Sequence, residues 1–427
     1  MGIRLIYLEP GAGGFHTGQC RIFIDQAVHD PRIASLHFAV PASFARYAGA
    51  NPVEIAGGSS KITFEYLSDA FLEVATGNAV GPVRQGAAIW REAKRLLAAR
   101  PGSIVYNSMF DLTLIGSVFD RSRLDGYITG IVHFPPFRPG FRNNLLVNLR
   151  RLLIKRAAHY LASHSAVPVI FTFDAEYLKT LPRMVARYWR YVPDPIPIRS
   201  DILSSAFRSP AQAPSTERVR FLLFGSLGRR KGIFALLQAL HDLSVPDRQR
   251  IEVVVAGEIR EALSDDLRRL RMLLTSAQQL DGLQFRYVDR FLSDEEVIGE
   301  LNACDVVLAP YAGHIGVSGV VLWAAVAGRP ILTQESGWIG HVVRNQRLGV
   351  VCDTLSPRAL GRAMMQFAGC NIMKQFDPTR LRLFVQGHSS EEFYGAIISA
   401  LSGLPATRGA LTERGGRTPA VSVGRSA

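Results

Sequence analysis

At 427 residues the chain is long enough for two or three domains with well-buried cores. Its 48% hydrophobic and 20% charged content exclude a disordered chain. No apolar run reaches the roughly 18–20 residues that a membrane-spanning helix needs. A formal charge of +13 calls for an acidic partner, and nucleic acid, anionic lipid and phosphorylated small molecules all qualify.

Read in chain order, the first half alternates strand-like and helix-like segments. Ile3–Leu8 reads as a strand leading into the glycine-rich loop Pro10–Gly18. The start, MGIRLIYLEPGAGG, has one basic side chain and too short an apolar stretch for a secretory leader. A helical pattern covers Val83–Arg100, and Ser103–Ser108, Tyr127–His133 and Val167–Phe173 read as buried strands. Between the last two lies Arg142–Ala162, with Leu145, Leu146, Leu149, Leu152, Leu153 and Ala157 at helical spacing. Arg150, Arg151, Lys155 and Arg156 fall on the remaining surface. Such a helix fits an anionic membrane surface, and it equally fits ordinary docking with a solvated cationic face.

The segment Tyr191–Glu217 is rich in proline and serine and reads as a linker, drawn at 195–217. Beyond it, Arg218–Ser226, Ile251–Glu258, Leu283–Asp289 and Cys304–Pro310 are strand candidates. Helical patterns at Phe234–Leu243, Ala262–Ser276 and Asp294–Asn302 separate them. Alternation of this kind favours an α/β fold with parallel sheets covered on both faces. Ser389 or Ser390 caps a last helix, and the Gly- and Arg-rich tail beyond it reads as disordered.

Two stretches carry chemistry. In Leu222–Leu240 a strand, a glycine turn and a helix enclose Arg229, Arg230 and Lys231. Cations at a helix start are unfavourable for its dipole unless an anion binds between them. A solvated charge run is the alternative. In Cys304–Pro330 a strand runs into the turn Gly313–Gly319 and then an apolar helix, an arrangement that aims free amides at an anion. The cysteines Cys20, Cys304, Cys352 and Cys370 have no metal or redox spacing, and no aspartate cluster suggests a metal. A reduced cytoplasmic compartment follows. The basic charge lacks an aromatic-interleaved stripe or a reading helix, so nucleic acid is not the expected partner.

FGSLGRRKG, VVVAGE, VDRFLSDEEVIGELNACDVVLAPY, SGVVLWAAVAGRPIL and GVVCD occur in that order. The series resembles the C-terminal domain of GT-B glycosyltransferases, in the large retaining group with bacterial mannosyl- and glucosyltransferases and sucrose synthases. The likeness is good over Arg218–Thr354 and weaker before it, where GAGGFHTG and GIVHFPP stand at a glycine loop and an active-site histidine. It implies two Rossmann-like domains facing across a cleft. Their extents are 1–194 for the acceptor side and 218–384 for the donor side, with a crossover helix at 385–402 and a tail at 403–427.

The resemblance also implies roles. Lys231 and His133 would be the catalytic residues, with His133 near the transferring sugar. Arg229, Arg230 and Lys231, with the amides of Ser318, Gly319 and Val320, would hold the donor diphosphate. Arg290, Phe291 and Leu292 would lie near the nucleobase, His314 near the sugar, and Gly13, Gly14 and His16 on the acceptor-side loop. The bland reading of His133 is a structural histidine bonded to a carbonyl. Two glutamates common among relatives fall here on Ile315 and Trp323. The implied activity is sugar transfer from a nucleoside-diphosphate sugar to a glycan or lipid-linked acceptor, metal-independent, retaining and without a cofactor. The protein would be cytoplasmic, at the inner face of the plasma membrane if the basic helix docks there. The alternative is a non-catalytic protein of the same fold that binds a nucleotide-sugar or glycan.

Overall fold

In a computed structural model of the chain the described residues are 2–11, 14–45, 57–77, 80–118, 120, 122, 124–133, 149, 153, 156–157, 166–196, 218–259, 264–369 and 378–405. They fall into two compact units. One holds the described residues up to Val192 together with those from Glu391 on, and the other runs from Pro193 to Ser390.

The first unit is built on seven strands: β1 (Ile3–Leu8), β2 (Ile33–Val40), β3 (Ile62–Tyr66), β4 (Ile104–Asn107), β5 (Tyr127–Val132), β6 (Ile170–Thr172) and β7 (Trp189–Tyr191). They lie in the order β3-β2-β1-β4-β5-β6-β7, every pair parallel. The helix Pro82–Ala99 starts on a proline, whose missing N–H would be unsatisfied there anyway. It buries Ile89, Trp90, Ala93, Leu96 and Leu97 against Ile6, Leu8, Val105 and Ile128 of the sheet.

The second unit has six strands: β8 (Val219–Phe224), β9 (Ile251–Ala256), β10 (Gln284–Val288), β11 (Val306–Ala309), β12 (Ile331–Gln334) and β13 (Gly349–Cys352). Their order is β10-β9-β8-β11-β12-β13, again all parallel. Burial of both faces of the sheet explains the unbroken apolar runs. Leu222, Phe224, Val254, Ala256, Val307 and Ala309 enter the core on one face. Phe221, Leu223, Val253, Val255, Val306 and Leu308 enter the core on the other. A capping box, Ser293 with Glu296, starts the helix Asp294–Ala303 that covers the first of these faces.

The chain divides at Val192–Pro193. Of the expected linker 195–217 only Pro195 and Ile196 are described, and of the tail 403–427 only the residues up to 405. The expected crossover helix 385–402 is two helices, Pro378–Gln386 and Ser390–Ser402. From Glu391 the second belongs to the first unit. There Phe393 packs edge-on to Phe23 with ring centroids 6.0 Å apart, and Tyr394 does so at 5.4 Å.

Candidate donor site in the second unit

β8 lies between β9 and β11, so the strand order reverses between β8 and β11. In open parallel sheets the loops leaving the strands diverge at such a point and leave a crevice. The loop after β8 carries Lys231, and the loop after β11 carries Tyr311, His314 and Ser318. Two contacts join these loops. The Ala312 amide donates to the Arg230 carbonyl at 3.0 Å. Gly232, at φ 75°, lies so close to Pro310 that a Cβ there would sit 1.7 Å from the carbonyl oxygen.

Lys231 ends a single 3₁₀ turn, Arg229–Lys231, and is only 7% exposed. Its ammonium donates to the Tyr311 hydroxyl at 2.9 Å and lies 4.9 Å from the centre of that ring. The Arg230 guanidinium lies 5.5 Å from the same ring, and the His314 imidazole stacks on it at 4.8 Å. Burial alone would raise the Tyr311 phenol. The charge and hydrogen bond of Lys231, the Ser318 hydrogen bond and the charge of Arg230 outweigh it and hold the phenol below its ordinary value. His314 is pushed down to about 4 by burial, with Arg230 and Lys231 adding to the effect. Its ring is therefore neutral near pH 7. Lys231 and Arg230 thus supply positive charge around an aromatic pair, and His314 adds none.

The helix Gly319–Val326 opens beside this cluster. Ser318 holds its N-cap position, yet its side chain makes no capping bond; its hydroxyl lies 2.6 Å from the Tyr311 oxygen. The Val321 amide already donates to the Ser318 carbonyl at 3.0 Å, but the amides before it have no acceptor within the helix, so this helix end is set to receive an anion. The preceding loop is fixed by Gln334, whose Oε1 accepts from the His314 amide at 3.1 Å while its Nε2 donates to the His314 carbonyl.

The structure thus brings Arg230, Lys231, His314, Ser318, Gly319 and Val320 to one place and adds Tyr311. The Arg229 guanidinium pairs with Asp266 and lies 5.1 Å from the Phe234 ring. Arg290 pairs with Glu296 beside it, Phe291 is 70% exposed and Leu292 is buried. At the positions of the two glutamates, Ile315 is half-buried and Trp323 packs edge-on to Phe224 with centroids 6.4 Å apart. No sequence signal marks Tyr311, because its partners lie 80 residues before it and 7 after it. Among the described residues no group of three His, Cys, Asp or Glu side chains is placed to hold a metal ion.

In the first unit, His133 follows β5, the strand beside β4. Its Nε2 lies 2.8 Å from the Ser108 carbonyl, and its amide donates to Asp111 at 2.9 Å. A neutral ring that donates from Nε2 has its lone pair on Nδ1. The Ser108 hydroxyl is buried without a partner among the described residues. Gly14 and His16 lie in the first turn of the helix Gly14–His29, while Gly13 lies outside the described residues.

Residues 218–369 match the family model described as Glycosyl transferases group 1, so the second unit carries a glycosyltransferase domain. No curated protein matches the sequence. The fold is similar to solved structures at low identity. An alpha,alpha-trehalose-phosphate synthase (UDP-forming) from Burkholderia xenovorans, in complex with glucose-6-phosphate, superposes with a TM-score of 0.64. Its identity is 11%, with 94% of this chain and 100% of that one covered. Anabaena HepE, solved with UDP, gives 0.60 at 12% identity over 94% and 100% of the two chains. The sucrose-phosphate synthase of Thermosynechococcus elongatus gives 0.61 at 15% identity over 96% and 98%. These likenesses establish the GT-B architecture.

Proposed function

We propose that this GT-B chain, with its group 1 glycosyltransferase domain, moves a sugar from a nucleoside-diphosphate sugar to a glycan or lipid-linked acceptor. The observation that carries the reading is the buried Lys231 ammonium beside a helix end whose own cap residue is turned away. One phosphate group suits the amides and the other suits the ammonium.

The chemistry follows from that placement. The bond between the anomeric carbon and the diphosphate oxygen breaks, and the electron pair leaves on the phosphate. Lys231, Arg230 and the first-turn amides stabilise the negative charge added to the departing phosphate more than the lesser charge of the intact diphosphate diester, so they lower the barrier. The acceptor hydroxyl attacks the anomeric carbon, and its proton passes to the departing phosphate. Attack on the face that the diphosphate leaves retains the anomeric configuration. No metal is required for charge neutralisation in this scheme.

A lipid-linked acceptor, of the kind used in bacterial polysaccharide or cell-envelope glycoconjugate synthesis, would bring the protein to the inner face of the plasma membrane. Of the segment 142–162 only residues 149, 153, 156 and 157 are described. Leu149 and Leu153 are exposed at 53% and 41%, while Ala157 is buried. Two exposed leucines four residues apart in the sequence, with Arg156 exposed nearby, support an apolar stripe placed for a bilayer surface. No helix among the described residues is long and apolar enough to cross a membrane.

The test is thermal unfolding with UDP, GDP, ADP and TDP in parallel. UDP comes first because HepE was solved with it. A ligand at about 100 times its dissociation constant stabilises the fold by about 2.7 kcal/mol. One clear hit, followed by turnover of the matching sugar nucleotides, is the expected result. Binding without turnover of any donor would leave a nucleotide-binding protein, the reading that Ile315 and Trp323 favour. Silence across the panel would overturn the donor site.

A further inference from the structure

A serine at the N-cap ordinarily accepts a hydrogen bond from an amide two or three residues on, and so closes the helix end. Ser318 does not; its hydroxyl lies instead 2.6 Å from the Tyr311 oxygen. The same phenol oxygen accepts from Lys231 at 2.9 Å, since an ammonium only donates. Tyr311 itself is fixed. Its ring is 1% exposed, its amide donates to the Ala309 carbonyl at 2.8 Å, and its carbonyl accepts from the Thr354 hydroxyl at 2.6 Å.

We propose that Tyr311 is a positioning residue of the donor site, holding the helix end at Gly319 open and the Lys231 ammonium aimed beside it. One hydroxyl draws Ser318 away from the amides and anchors the lysine, so both are ready for the two phosphate groups of a nucleoside diphosphate. The site is thereby organised before the ligand arrives, and less ordering is left for binding to supply. This inference rests on the sugar-nucleotide reading above.

Tyr311→Phe removes one oxygen and leaves the packed ring. Its affinity for the nucleotide that stabilises the unaltered protein, measured by calorimetry, should fall by about tenfold to a hundredfold, because a hydrogen bond to a charged group is lost and Ser318 is released to cap the helix. The second variant separates positioning from mere structure. In Tyr311→Phe with Ser318→Ala no side chain remains to close the helix end, so affinity should recover in part. Unchanged affinity in the single variant overturns the proposal, and so does a double variant that binds no better. A lower unfolding temperature with full affinity would make Tyr311 a structural residue only. If the unaltered protein binds no nucleoside diphosphate, the donor-site reading itself fails and this one with it.

Discussion

Gly232 and the Pro310 carbonyl hold together the two loops that carry the candidate donor site. A Cβ on Gly232 would lie 1.7 Å from that oxygen, and the residue's φ of 75° is one that L side chains rarely adopt. Gly232→Ala therefore meets two penalties. The left-handed conformation costs about 1–2 kcal/mol, and relieving the clash pushes the loops apart. The variant should unfold at a lower temperature and lose nucleoside-diphosphate binding together. A variant that keeps both would show that the loops are not held at this point.

Lys231→Ala should behave differently, because it removes a charge and leaves the backbone clamp in place. Affinity for a nucleoside diphosphate should fall by about tenfold to a hundredfold, the loss of a charge-assisted contact in a site with little water. The unfolding temperature should change little, since the Tyr311–Ser318 hydrogen bond remains. Calorimetry and thermal unfolding on the same preparation check both halves. Unchanged affinity would remove Lys231 from the site.

The fold was legible where burial makes a strand continuously apolar, as in β8, β9 and β11. β2 and β3 escaped notice because polar residues interrupt them: His37 in β2, and Thr63 and Glu65 in β3. In the structure the three side chains satisfy one another, with His37 2.7 Å from Thr63 and 3.0 Å from Glu65. The glycine loop and the cation run of the candidate donor site can be picked out of the sequence, because strand, glycine and helix succeed one another in the chain. Tyr311 cannot be, since its importance comes from Lys231, distant in sequence and adjacent across the sheet's switch point. Arg229 shows the same limit in reverse. It reads as one of three equivalent cations, but only the fold puts Asp266 within its reach.

His314 gives the second unit an acid-sensitive point. Its folded value of about 4 lies below the ordinary 6.5, so between those values the unfolded chain takes up a proton that the folded one refuses. Stability is lost as the pH falls from about 6.5 toward 4. His314→Phe keeps an aromatic ring against Tyr311 and removes the titration. Whatever the cost of losing the Val317 contact, the difference in unfolding temperature between this variant and the unaltered protein should shift in the variant's favour as the solution is acidified. A difference that stays constant from pH 6.5 to 4 would mean that His314 is charged in the fold.

Asp194 has the opposite slope. It lies just past the point where the chain enters the second unit, 1% exposed, and neither carboxyl oxygen has a hydrogen-bond partner among the described residues. Burial raises it from the ordinary 3.8 to about 8. Between these values the folded chain keeps a proton that the unfolded one has released, so rising pH favours unfolding. The contribution is intact below about pH 4 and is lost progressively up to about pH 8. Asp194→Asn abolishes the titration while keeping nearly the same shape, and it leaves a buried polar group in either case. The two proteins should therefore unfold at similar temperatures near pH 4, with the variant increasingly the more stable toward pH 8. A gap that does not widen with pH would show that Asp194 is ionised in the folded protein and held by a cationic partner.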